Sequence, residues 1–217
     1  DGEAADERHL QRRQVLAACG FRLDAPSWEL RLPDAAKQRA ESLGAAGAIH
    51  LSINASTPLK EWPLRHWIEL ANRLLTGDPQ LRIVTTGSSS QREQERLRSL
   101  AAGVSNERLA VLPPGMPIAE LAAVLQLCRL HVGADSGVLH LATALDVPVV
   151  AIFRDYAGAK EWLPQGAGHS HLLAPCPCAN SKHPPCAARG KALCLAQITP
   201  EQVLAVVMKK YYPLKGT

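Results

Sequence analysis

The sequence predicts an α/β domain built on a parallel sheet, and three observations carry that expectation. Short apolar runs near residues 48, 81, 109, 130, 147 and 170 alternate with segments whose apolar residues recur at helical spacing. The stretch from Arg129 to Phe153 reads as one complete βαβ unit: a strand over Leu130 to Val132, a tight turn over Gly133 to Gly137, a helix over Val138 to Leu145 and a strand over Val147 to Phe153. At 217 residues and 47% hydrophobic content, the chain is long enough to bury one sizeable core.

The elements follow in order. Residues 1 to 7 are polar, and Leu10, Val15, Leu16 and Cys19 form a helical stripe that Gly20 would cap. Trp28 to Pro33 alternates like an extended piece, and a Pro-Asp signal starts a helix over Asp34 to Leu43. Ala48 to Ile53 is a strand, followed by a loop bracketed by Pro58 and Pro63 and an amphipathic helix over Leu64 to Leu75. Leu81 to Thr86 is the next strand, and Gly87-Ser-Ser-Ser opens a helix over Gln91 to Ala101. Leu109 to Leu112 is a short strand, and Pro113-Pro-Gly-Met-Pro leads into a helix over Ile118 to Cys128. A last helix is expected over Pro200 to Met208.

Composition removes several function classes. The 24 basic and 20 acidic residues leave a net charge of +4 without a long basic run or aromatic interleaving, so nucleic acid is not the expected partner. No apolar stretch reaches the roughly 18 residues of a membrane span, and the start Asp-Gly-Glu-Ala-Ala-Asp-Glu is the reverse of a signal peptide. The expected location is the cytoplasm, with peripheral membrane association left open.

The chemistry concentrates at the turn of the βαβ unit. Ser136 and Gly137 stand where the helix begins, so their N–H groups and the positive end of the helix dipole favour an anion above the turn. Asp135 and His140 would add a carboxylate and a titratable donor to the same volume; the bland alternative makes Asp135 a helix cap and His140 a half-buried helix residue. Lys60 lies in the loop after the 48–53 strand, where an ammonium can meet a diphosphate as a point charge or remain solvated. In parallel sheets ligands bind at the carboxyl ends of the strands, where all these loops fall.

Asp135-Ser-Gly followed two residues later by His140-Leu-Ala resembles the nucleotide-sugar signature of the heptosyltransferase family, glycosyltransferases of GT-B fold that use ADP-heptose. Ser56, Lys60, Trp62 and Pro63 resemble that family's Ala-Ser-x-x-x-Lys-x-Trp-Pro element, although Asn54 stands where the family more often has glycine. Gly20-Phe21 and the later Leu30-Arg-Leu-Pro33 resemble its interdomain linker, and Cys194 to Val203 its Cys-Leu-x-x-Ile-x-Pro-Glu-x-Val ending. The expected glycine after Phe153 is replaced by Arg154.

The resemblance implies a three-layer, Rossmann-like domain forming the C-terminal half of a GT-B enzyme. Residues 1–46 would be linker helices and a remnant of an N-terminal domain, and residues 47–217 the nucleotide-sugar-binding domain. Its implied function is to bind ADP-heptose for inverting transfer to lipopolysaccharide core or a similar acceptor held by an N-terminal domain. The implied donor-binding residues are Ser56, Thr57, Lys60, Thr86, Gly87, Met116, Asp135, Ser136, Gly137 and His140, with Met116 beside the adenine. For the ribose the nearest match is Gln91, with Glu93 two residues on; Glu93 is expected on a solvated helix face. No cofactor or metal is required, and no residue of this chain is assigned as the base that deprotonates the acceptor. Two other readings stand beside this one: a non-catalytic nucleotide-sugar-binding module, and an epimerase-like GT-B domain whose acidic and arginine pattern this chain lacks.

Four of the six cysteines, Cys176, Cys178, Cys186 and Cys194, crowd into one loop at 176–194. Together with His171 or His183 they could surround a metal, but Cys-x-Cys is not the usual zinc spacing, and structural thiols are expected.

Overall fold

The computed structural model describes residues 18–20, 30–156, 158–176, 186 and 189–212. Most of the helical stripe before Gly20 and the segment 21–29 lie outside the described residues, as do Cys178 and His183. Gly20 itself has a φ of 83°, the left-handed geometry expected of a helix cap.

The described chain runs α1 (Asp34–Ser42), β1 (Ile49–Ser52), α2 (Leu64–Gly77), β2 (Ile83–Thr85), α3 (Gln91–Val104), β3 (Leu109–Val111), α4 (Ile118–Leu127), β4 (Leu130–Ala134), α5 (Gly137–Ala144), β5 (Val149–Asp155), β6 (Ser170–Pro175) and α6 (Pro200–Tyr211). Short 3-10 turns interrupt the loops at Pro58–Lys60, Ala159–Trp162 and Leu195–Gln197. All five strand pairings are parallel, in the order β3-β2-β1-β4-β5-β6. This is the doubly wound order, and its reversal between β1 and β4 leaves a crevice at their carboxyl ends.

Strand alternation divides the core into two faces. Ile49 and Leu51 of β1 and Leu130 and Val132 of β4 pack with Trp67, Leu70 and Leu74 of α2, Leu97 and Leu100 of α3, and Val203 and Val207 of α6. On the other face Val84 packs with Ala36 and Ala40 of α1 and Ala123 and Val124 of α4, while Val149, Ala151 and Phe153 of β5 pack with Leu139 and Ala142 of α5. Two layers of helices thus enclose the sheet. The α1 helix falls within the segment expected as a linker, yet it packs against α4 as part of this core.

The βαβ unit departs from expectation chiefly at its turn, besides shifts of one or two residues at the helix and second-strand ends. Gly133 belongs to β4 and pairs with Ser52 and Ala151, so the strand runs through Ala134 and the turn shrinks to Asp135 and Ser136. The longer strand carries Asp135 to the rim of the crevice.

Candidate functional site

Two loops meet at the β1/β4 crevice. The first follows β1 and is buried at its root: Asn54 and Ala55 are buried and Ser56 is exposed. Its path is held by Glu61, whose carboxylate accepts the Ala55 N–H (3.3 Å) and pairs with Arg92 and Arg96 of α3. Those guanidiniums return to the loop, Arg92 donating to the Ala55 carbonyl (2.8 Å) and Arg96 to the Ile53 carbonyl (3.0 Å) and Asn54 Oδ1 (3.1 Å). A largely buried carboxylate between two arginines thereby ties the loop to α3. Behind it, buried Trp62 donates its indole N–H to the Ile198 carbonyl (2.9 Å).

The second loop is the β4–α5 elbow. Ser136 is the N-cap of α5, its hydroxyl accepting the Leu139 N–H (3.4 Å). The cap is therefore the serine, and Asp135 is released for another partner. Its Oδ2 lies 2.7 Å from Lys60 Nζ, and its Oδ1 lies 3.8 Å from His140 Nε2, too far for a hydrogen bond but close for a charge. Burial raises the Asp135 pKa, while His140 and Lys60 lower it by more, so the carboxyl sits below its ordinary value and is ionised at neutral pH.

The crevice holds two adjoining cavities. The larger, about 470 Å³, has an apolar wall that includes Met116, Leu121 and Leu141, and a polar side that includes Ser52, Thr86 and Glu93. The smaller, about 210 Å³, is lined by Lys60, Asp135, His140, Tyr156 and Trp162. Ser56, Ser136 and Gly137 line both. A Cβ at Gly137 would meet no other atom within 4 Å, so the start of α5 is open to the crevice. An apolar slot wide enough for a base, a junction of small residues at a helix N-terminus, and a cation in the next chamber suit a nucleoside, its diphosphate and an attached polar group.

Of the ten expected donor-binding residues, the fold gathers nine. Thr57 is the exception: it is exposed and lines neither cavity, because it opens the 3-10 turn that swings Lys60 back over the crevice. Glu93 also departs from expectation. Instead of facing solvent, it lines the larger cavity and accepts the Ser88 N–H (2.8 Å). The helical spacing of α3 could have shown this, since Leu97 and Leu100 face the core and Glu93 lies one turn before Leu97. Tyr156 and Trp162, from the loop after β5 whose Trp-x-Pro ending resembles the family's, also line the smaller cavity, and Trp162 stands over His140 with ring centroids 5.7 Å apart.

A family model for glycosyltransferase family 9 (heptosyltransferase) matches residues 3–191. The chain belongs to this family. Among curated relatives, lipopolysaccharide heptosyltransferase 1 of Pseudomonas aeruginosa is 35% identical over 159 residues, 71% of this chain and 39% of the relative. Lipopolysaccharide heptosyltransferase 2 of Salmonella typhimurium is 31% identical over 99 residues, 44% of this chain and 27% of the relative. The family 9 chain thus spans well under half the length of these relatives. In fold it is similar to E. coli heptosyltransferase WaaC with ADP-2-deoxy-2-fluoro heptose (TM-score 0.63, 25% identity, 96% of this chain and 56% of that one). It is also similar to the glycosyl transferase family 9 protein from Veillonella parvula (TM-score 0.73, 19% identity, 91% of this chain and 58% of that one). This family 9 chain has the α/β, Rossmann-like architecture of GT-B heptosyltransferases.

Within the cysteine loop, Cys176, Cys186 and Cys194 are buried close together. Burial and the neighbouring Cys176 and Cys186 push the Cys194 thiol up to about 12, which leaves it protonated. His171 is exposed. Among the described residues no three Cys, His, Asp or Glu side chains are arranged to hold a metal ion, and no helix is long and apolar enough to cross a membrane.

Proposed function

We propose that this chain is the donor-binding half of a heptosyltransferase, binding ADP-heptose for inverting transfer to lipopolysaccharide core or a similar acceptor. The observation that carries the reading is the Lys60 ammonium in the smaller cavity beside the Ser136–Gly137 helix start, which lines both cavities. The larger cavity would take the adenosine, with Met116 against the base and Glu93 as the polar partner of the ribose. The junction would take the diphosphate, and the smaller chamber the heptose.

In this reading the departing ADP is stabilised by donors already in place: the Lys60 ammonium, the Ser56 hydroxyl, and the N–H groups and dipole at the start of α5. Asp135 aims Lys60, and His140 sits at the sugar side of the same cluster. The base that deprotonates the acceptor hydroxyl is proposed to lie in the part of the GT-B fold outside this chain, as is the acceptor site. Carriage of a bound ADP-heptose analogue by a similar structure supports the choice of donor.

Calorimetric titration of the 217-residue chain with ADP-heptose, ADP and UDP-sugars tests the reading. Binding of both adenine nucleotides, lost or weakened on Lys60→Ala, is the expected result, with no heptose transfer by the chain alone. Equal binding of UDP-sugars, or no binding of ADP-heptose, would overturn it.

A further inference from the structure

Behind the larger cavity lies a polar chain that the donor reading does not use. His50 of β1 and His131 of β4 are register partners on neighbouring strands, both fully buried and stacked with ring centroids 5.0 Å apart. Their Nδ1 atoms are 2.9 Å apart, and His50 Nε2 is 2.9 Å from Thr86 Oγ1, which belongs to the cavity lining. His131 Nε2, at the far end, is buried and has no hydrogen-bond partner among the described residues.

Two neutral imidazoles joined through their Nδ1 atoms have only two proton arrangements, because one Nδ1 must donate and the other accept. If His50 donates to His131, then His131 carries its proton on Nε2 as an orphaned N–H, and His50 Nε2 accepts the Thr86 hydroxyl hydrogen. If His131 donates to His50, then His131 Nε2 is a bare lone pair, His50 Nε2–H donates to Thr86 Oγ1, and the Thr86 hydrogen is left for the cavity.

The surroundings choose between them. An orphaned buried N–H is rarer and costlier than an orphaned acceptor. His131 Nε2 also abuts Gly133, where a Cβ would come within 2.5 Å of it. An α-hydrogen of Gly133 in that direction is tolerated by a lone pair and opposed by a second N–H. Neutrality of the pair follows from burial, which pushes the His50 pKa down to about 3 and the His131 pKa well below the ordinary value.

We propose that His131 and His50 are positioning residues that fix the polarity of the Thr86 hydroxyl, so that the cavity presents its hydrogen as a donor to an acceptor atom of the bound nucleoside. The assignment of that ligand rests on the donor-site reading above; the proton arrangement does not.

Two measurements test it. Long-range 1H–15N correlation spectra of the chain labelled with 15N-histidine should place the His131 proton on Nδ1 and the His50 proton on Nε2. The reverse assignment, or an equal mixture, would overturn the proposal whether or not any nucleotide binds. Calorimetry with ADP then reads the consequence. Thr86→Val should weaken ADP binding about fivefold and Thr86→Ser by less than about twofold, the size expected for one hydrogen bond. His50→Phe should weaken binding about threefold in the parent chain and leave the Thr86→Val chain unchanged, because its effect passes through that hydroxyl. Equal weakening in both backgrounds would reduce His50 to a structural role and sink the proposal. Should His50→Phe lose its thermal unfolding transition, the spectra of the parent decide. Should the parent chain bind no ADP, the donor reading fails and the spectra still decide the proton arrangement.

Discussion

Lys60 Nζ and Asp135 Oδ2 are 2.7 Å apart across the β1/β4 crevice. The pair joins the two loops proposed to carry the anion-binding groups, and both partners are partly shielded, with the lysine side chain 31% and the aspartate side chain 11% exposed. Asp135 cancels part of the lysine charge and at the same time points the ammonium into the smaller cavity. A diphosphate at the junction would share that ammonium.

Lys60→Ala should lower ADP affinity about tenfold at low salt, near the lower end for a charge-assisted contact because the side chain is partly solvated. The difference from the parent should shrink as ionic strength rises and the charge is screened. Calorimetry at two salt concentrations reads both effects, and an affinity independent of Lys60 would remove this residue from the site.

Ser136→Ala should cost about 1 kcal/mol or less of stability, since the hydroxyl caps a short helix through a long 3.4 Å bond. Urea unfolding measures it. Asp135→Asn keeps the cap intact, so a larger loss there than at Ser136 would show that the elbow is held by the lysine pair and not by its cap.

Gly133→Ala should destabilise the domain by about 1–3 kcal/mol, as overpacking of a close-packed core does. The new methyl would lie 2.5 Å from His131 Nε2 and 3.2 Å from Ser52 Cβ, and β4 is the central strand beside the switch point. Placing the same change in a His131→Ala background should recover part of the loss, which thermal unfolding of the two pairs would measure.

Acid should weaken the fold before it protonates the carboxylates. His50 has a folded-state pKa of about 3 against an ordinary value of 6.5, so the unfolded chain binds more protons between those limits and stability falls as pH falls through them. For this one group the loss at pH 5 is about 2 kcal/mol relative to neutral pH. The lowered Asp135 pKa adds a loss of the same sign at lower pH, below about 4. Denaturant unfolding at pH 7, 6 and 5 should show a falling midpoint, with a shallower slope in His50→Phe; a flat profile would contradict neutral burial of the pair.

Much of the site was legible one segment at a time. The elbow and the Lys60 loop are local patterns, each compatible with an anion by its own chemistry and joined into one candidate site by their resemblance to the family's motifs. The amphipathic face of α2 and the apolar runs of β1, β4 and β5 follow from short-range periodicity. Thr57 was misplaced because adjacent hydroxyls look alike in sequence, and only the 3-10 turn at Pro58 sends one into the crevice and the other out of it. Glu93 was misplaced for a related reason: its charge suggested solvent, while the packing of Leu97 and Leu100 turns that side of α3 toward the cavity.

The sequence by itself determined that strands and helices alternate, that the sheet is parallel, and which loops carry the candidate anion-binding groups, because those properties are written in spacing and residue type within short windows. Only the tertiary structure decided that Asp135 meets Lys60 and leaves the cap to Ser136. It alone decided that His50 lies against His131 with Thr86 at the end of the chain they form. Strand order and register are set by how two apolar faces pack at once, and no local pattern specifies which distant strand becomes a neighbour.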